Sequence, residues 1–252
     1  MMCAEINIPG TYKKSEADDC LGGYTSLVYL KRCEGYNAAK ENGDIVAADS
    51  IIKKCVSADN LRSIKAKYPD SFLLPVMKQN NMLPLALCAN IGLPVCSSVQ
   101  CSASRRRKNL PAIQRILCKP VFSGVIAPGK NYILVDDIVT QGGTMSSLMR
   151  FVSSEGGNVR AVLSLVYGRG SRRIAPAKEK LAKLKRRFGN KLTDFFEDYG
   201  MGSGYIDQLT NSEILYLLKF SSVENMRKKA GEASGVLALI NKSDLADSLI
   251  KI

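Results

Sequence analysis

The stretch from Asn131 to Val152, NYILVDDIVTQGGTMSSLMRFV, constrains the fold more than any other part of the chain. Four apolar residues, Tyr132 to Val135, predict a buried strand that ends on two adjacent acids, Asp136 and Asp137. Thr140-Gln141-Gly142-Gly143-Thr144 is a turn of small and polar residues, and the pattern from about Gly143 to Ser154 predicts a helix behind it. A strand feeding such a turn brings loop amides and a helix dipole to bear on one point, which suits an anion. Glycines let the backbone approach closely, and threonine hydroxyls donate. A bare T-x-G-x-T turn needs no ligand. The paired acids at a fixed distance from Thr140 make this one specific, because they would suit sugar hydroxyls. The string is not a Walker loop, since G-K-[ST] is missing, nor a dinucleotide fingerprint, since G-x-G-x-x-G is missing.

The flanking sequence agrees with this unit. Between Phe72 and Val166 short apolar runs alternate with helical stretches. Phe72–Met77, Pro94–Val99, Val121–Ile126, Tyr132–Val135 and Val159–Val166 read as strands, and Leu83–Ile91 as a helix with Pro84 in its first turn. Apolar strands separated by helices predict an α/β fold: a mostly parallel central sheet with helices on both faces. Residues 1–70 read as an N-terminal helical region, residues 71–168 as the core, and residues 169–252 as a basic helical C-terminal appendage. In the last, Leu181, Leu184 and Phe188 share one helix face among many Lys and Arg. Thr210-Asn-Ser-Glu213 is a capping box.

Composition narrows the chemistry. The chain contains no histidine, which removes Ser-His and Cys-His nucleophilic machinery. Its eight cysteines form no C-x-x-C pair, so a zinc site is not expected. No signal peptide or membrane-spanning run is evident, and a cytoplasmic protein without membrane association is the expectation. The net charge of +13 favours anionic partners without choosing among nucleic acid, an acidic membrane face and a phosphorylated metabolite.

Tyr132–Thr144 resembles the motif with which type I phosphoribosyltransferases bind 5-phosphoribosyl-1-diphosphate (PRPP): hydrophobics, two acids, two hydrophobics, then T-x-G-x-T/S. The resemblance covers residues 72–168 and implies that fold, with helical additions at either end. It implies transfer of the phosphoribosyl group to a small nitrogenous base with release of diphosphate. Asp136 and Asp137 would be the catalytic acids on the ribose 2- and 3-hydroxyls. Thr140, Gln141, Gly142, Gly143 and Thr144 would hold the 5-phosphate. The family's diphosphate loop corresponds to Lys78, Gln79, Asn80 and Asn81. A mobile basic loop corresponds to the interval from Cys101 to Pro120, with Arg105, Arg106, Arg107, Lys108 and Arg115. Mg2+ would be bound chiefly through PRPP, with no assigned protein ligand, and a homodimer is the expected assembly. Thr140 stands where 6-oxopurine enzymes of the family usually carry Asp, so the acceptor stays open. Two other readings stay open too. One is a PRPP-sensing regulator that binds nucleic acid through Arg169–Arg187, and the other is a helical interaction module on a degenerate core.

Overall fold

The computed structural model describes residues 20–78, 80–101 and 110–231. At its centre lies a four-stranded sheet built from β1 (Cys20–Gly22), β2 (Ser71–Pro75), β5 (Asn131–Val139) and β6 (Asn158–Tyr167). The order is β1-β6-β5-β2 and every pairing is parallel. β3 (Gln100–Cys101) and β4 (Phe122–Ser123) form a separate antiparallel pair.

Helices cover both faces of this sheet. One face packs against α1 (Leu27–Arg32), α2 (Tyr36–Glu41), α3 (Ile45–Cys55), α4 (Ala58–Lys67) and α5 (Leu83–Ile91). Ile133, Val135, Ala161 and Leu163 turn toward that side, with Ile51, Ile52 and Leu87 from the helices. The opposite face packs against α7 (Gly143–Ser154), where Tyr132, Leu134 and Val162 meet Met145, Leu148 and Val152. The two sets alternate along β5, as a pleated strand buried on both faces requires.

A third core holds the remainder. It joins α6 (Ala112–Leu117), α8 (Lys178–Phe188), α9 (Asn190–Asp198), a 3-10 turn (Ser203–Gln208), α10 (Asn211–Leu217) and α11 (Val223–Gly231). Leu184 and Phe188 of α8 are buried there and Leu181 is half-buried, while Lys183, Lys185, Arg186 and Arg187 stay exposed. Thr210 caps α10 and Glu213 completes the capping box.

Three expectations change on folding. The run Pro94–Val99 does not form a strand of the sheet and makes only a single parallel bridge, Leu73 to Val95. The run Val121–Ile126 leaves the sheet, because only Phe122 and Ser123 pair, and they pair with β3. Within the N-terminal region read as helical, Cys20–Gly22 instead adds an edge strand to β6. No helix among the described residues is long and apolar enough to cross a membrane.

Candidate functional site

β5 does not stop at Val135. It continues through both acids to Val139, with Asp136 opposite Ser164 and Ile138 opposite Val166. Asp136 and Asp137 are therefore strand residues, 1% and 2% exposed. Carboxylates taken out of water need partners. Lys78 Nζ lies 2.9 Å from Asp136 Oδ2. Lys40 of α2 pairs with Asp137 Oδ2, and Asn81 Nδ2 donates to Asp137 Oδ1 at 3.2 Å.

These partners split the two acids electrostatically. Burial pushes the Asp136 carboxyl up to about 6, with Lys78 pulling it back and Asp137 pushing it further. Asp137 is held below the ordinary carboxylate range: burial opposes this, but Lys40, the hydrogen bond from Asp136 and Lys78 together outweigh it. Lys78 is itself held above the usual lysine value, since Asp136 and Asp137 more than offset its burial. Tyr36 of α2 is pushed up to about 12 by burial, then by Asp137 and Glu41.

Beyond Val139 the chain turns into α7, whose N-cap is Gly142 in the left-handed region at φ +78°. A side chain at this position would be strained. A Cβ there would also lie 3.0 Å from Ile174 Cδ1 and 3.5 Å from Thr210 Cγ2. The glycine thus lets the C-terminal helices close against the turn. Thr210 also donates its hydroxyl to the Gln141 carbonyl. Ser146 and Arg150 of α7 both donate to the Gln208 carbonyl, so the start of α7 is tied to the third core. At the first turn of this 12-residue helix the amides lack intrahelical acceptors and face outward. Among the described residues, the Gln141 side-chain nitrogen is buried with no hydrogen-bond partner.

A cavity of about 410 Å³ opens on this junction. Asp136 and the whole Thr140–Thr144 turn line it, as do Lys78, Asn80 and Asn81. Asp137 is not among the lining residues, although its partners Lys40 and Asn81 are. Gln79 and Arg105, Arg106 and Arg107, with Lys108, lie outside the described residues. Arg115 also lines the cavity, from α6. It sits one turn before Lys119, whose ammonium is 2.9 Å from the buried Glu213 carboxylate. Sequence reasoning missed Leu27 and Lys31 of α1, Tyr36, Lys40 and Glu41 of α2, and Glu213 of α10, which all line the same cavity. Nothing in their local sequence marks them. The available signal was indirect, because two adjacent buried acids demand cations from elsewhere in the chain.

No family model matches the chain. It is 30% identical over 209 residues to "Protein TraN" of Escherichia coli, an overlap covering 79% of this chain and 46% of that protein. It is 28% identical over 130 residues to an uncharacterized protein of Haemophilus influenzae, covering 48% of this chain and 29% of that one. The chain spans less than half the length of these curated relatives. Among solved structures, a purine phosphoribosyltransferase from Pyrococcus horikoshii aligns with a TM-score of 0.31 at 14% identity, over 44% of this chain and 79% of that one. An adenine phosphoribosyltransferase from Saccharomyces cerevisiae aligns with a TM-score of 0.31 at 18% identity, over 46% of this chain and 69% of that one.

The described residues do not build a metal cage. No group of three or more Cys, Asp or Glu stands together among them, and both acids of the site already carry ammonium partners.

Proposed function

We propose that the chain is a phosphoribosyltransferase: it moves the 5-phosphoribosyl group of PRPP onto a nitrogenous base and releases diphosphate. The observation that carries this reading is convergence on one cavity. The Thr140–Thr144 turn, Asp136, Lys78, Asn80 and Asn81 all line the same space of about 410 Å³, a volume in the range of small-ligand sites.

In this reading the α7 amides, the two threonine hydroxyls and the orphaned Gln141 amide hold the 5-phosphate. Asp136 and Asp137 accept hydrogen bonds from the ribose 2- and 3-hydroxyls. Lys78, Asn80 and Asn81 face the diphosphate. The C1–O bond breaks and its electron pair leaves on the diphosphate. The lone pair of the acceptor nitrogen forms the C1–N bond on the opposite face, and that nitrogen's proton passes to the departing diphosphate. Little covalent work falls to the protein. It orients two reactants and places charge where charge develops. Mg2+ would enter with PRPP and would supply charge neutralisation of the diphosphate.

A product assay with Mg2+ and PRPP across a panel of free bases tests the reading. Base-dependent release of diphosphate supports it and names the acceptor. The exposed basic face of α8 favours one alternative, a PRPP-sensing regulator that binds nucleic acid. That alternative predicts a PRPP-induced rise in melting temperature, no diphosphate release with any base, and salt-dependent binding of nucleic acid.

A further inference from the structure

Lys40 has no place in the chemistry assigned so far, yet it lines the cavity and holds Asp137. We propose that Lys40 is a second cation for the diphosphate, released from Asp137 when the sugar binds; this rests on the PRPP reading above.

Both acids are occupied before any ligand arrives. A ribose hydroxyl that donates to Asp137 competes with an ammonium already bonded there, so one of the two must give way. Asp137 cannot move, because it lies within β5 at 2% exposure. Lys40 can, since it is 19% exposed and its charge rides on a flexible four-carbon stem. An ammonium displaced from a buried acid needs another anion within reach.

The backbone fixes where that anion would be. The end of α2 is stitched to the turn that begins at Lys78. The Met82 amide donates to the Ala39 carbonyl at 2.9 Å, and Asn80 Nδ2 donates to the Glu41 carbonyl at 2.9 Å. Lys40 and Lys78 therefore ride on two joined segments, each with its ammonium on one of two consecutive acids. A diphosphate at the Lys78–Asn81 turn would lie beside both. The exchange is balanced in charge. Asp137 trades an ammonium for a neutral hydroxyl, and the ammonium passes, still protonated, to an anion of higher charge. When C1–O breaks, the electron pair that accumulates on the leaving oxygen is met by Lys40 as well as Lys78.

The test compares two ligands that differ only in the diphosphate. Calorimetry gives the affinities of PRPP and of ribose 5-phosphate, with Mg2+, for the full chain and for Lys40→Met. The expected result is a PRPP affinity lower by roughly tenfold or more, the scale of a charge-assisted hydrogen bond. Ribose 5-phosphate affinity should be unchanged or higher, since Asp137 is then free for its hydroxyl. Lys40→Met leaves a buried acid without its cation, so a second pair guards against misfolding. Asp137→Asn is compared with Asp137→Asn/Lys40→Met, in which neither charge of the pair remains. The ratio of PRPP to ribose 5-phosphate affinity should again fall about tenfold between the two. Equal losses for both ligands, or an unchanged ratio in the second pair, would overturn the role of Lys40 alone. Failure of the unaltered chain to bind either ligand would overturn the PRPP reading with it.

Discussion

Asp136 and Asp137 carry identical side chains and are joined by one peptide bond, yet replacing each with asparagine should affect stability very differently. Asp137 and Lys40 are 2% and 19% exposed. Deleting one partner of a fully buried pair costs ~3–5 kcal/mol, because the other charge is stranded. Lys40 keeps some water, so Asp137→Asn should cost about 2–4 kcal/mol at pH 7.5. Asp136 lies on the other side of the balance. Its carboxyl is pushed up to about 6, so holding it ionised at pH 7.5 already costs the fold roughly 2–3 kcal/mol. Lys78, 33% exposed, can rehydrate once its partner is gone. Asp136→Asn should therefore stay within about 1 kcal/mol of the unaltered chain or exceed it.

For a chain of 252 residues, each kcal/mol moves the melting temperature by about 2–4 °C. Thermal unfolding followed by circular dichroism should show a drop of roughly 5–15 °C for Asp137→Asn and less than about 4 °C for Asp136→Asn. Adding Lys40→Met to Asp137→Asn should recover most of the loss, since replacing both charges strands neither. The pH dependence separates the acids further. Asp137 is lowered on folding, so its contribution is present above the unfolded value of about 4 and lost as pH falls through its folded value. Asp136 is raised, so the unaltered chain gains on Asp136→Asn in acid and loses that gain as pH rises from about 4 to about 6. Equal drops for the two variants at pH 7.5, or no recovery with Lys40→Met, would refute this account of the site.

Other substitutions probe the phosphate turn. Gly142→Ala meets a left-handed φ of +78° and Ile174 Cδ1 at 3.0 Å; urea denaturation should show a loss of about 1–2 kcal/mol, with weaker binding of ribose 5-phosphate. Thr210→Ala removes both the α10 cap and the bond to the Gln141 carbonyl; the same measurement should show a loss of about 1–2 kcal/mol. PRPP binding should tighten as pH rises through about 6, where Asp136 ionises and becomes a stronger, charge-assisted acceptor for a hydroxyl; affinities between pH 5 and pH 8 check this.

The parts of the fold that were legible in sequence are those whose determinants are local. The β5-turn-α7 unit announces itself by an apolar run, paired acids and glycines. α5 and the capping box at Thr210 also follow from neighbours in sequence. What was not legible depends on distant partners. Extension of β5 past Val135 reverses the expectation that two acids end a strand, and it is affordable only because Lys78 and Lys40 meet those acids. Lys40 lies 97 residues from Asp137, on a helix with no distinctive pattern. The run Val121–Ile126 has strand composition but pairs only with Gln100 and Cys101. α6 carries Ile113, Ile116 and Leu117 into the third core rather than onto the sheet, where it packs against α10 and α11.

Calorimetric titration of PRPP with Mg2+ into the unaltered chain and into Asp136→Asn/Asp137→Asn bears most directly on the site. Saturable one-site binding by the former and none by the folded double variant is the predicted outcome. Equal affinity in the two would contradict it, because the sugar would then be held somewhere other than beside these carboxylates.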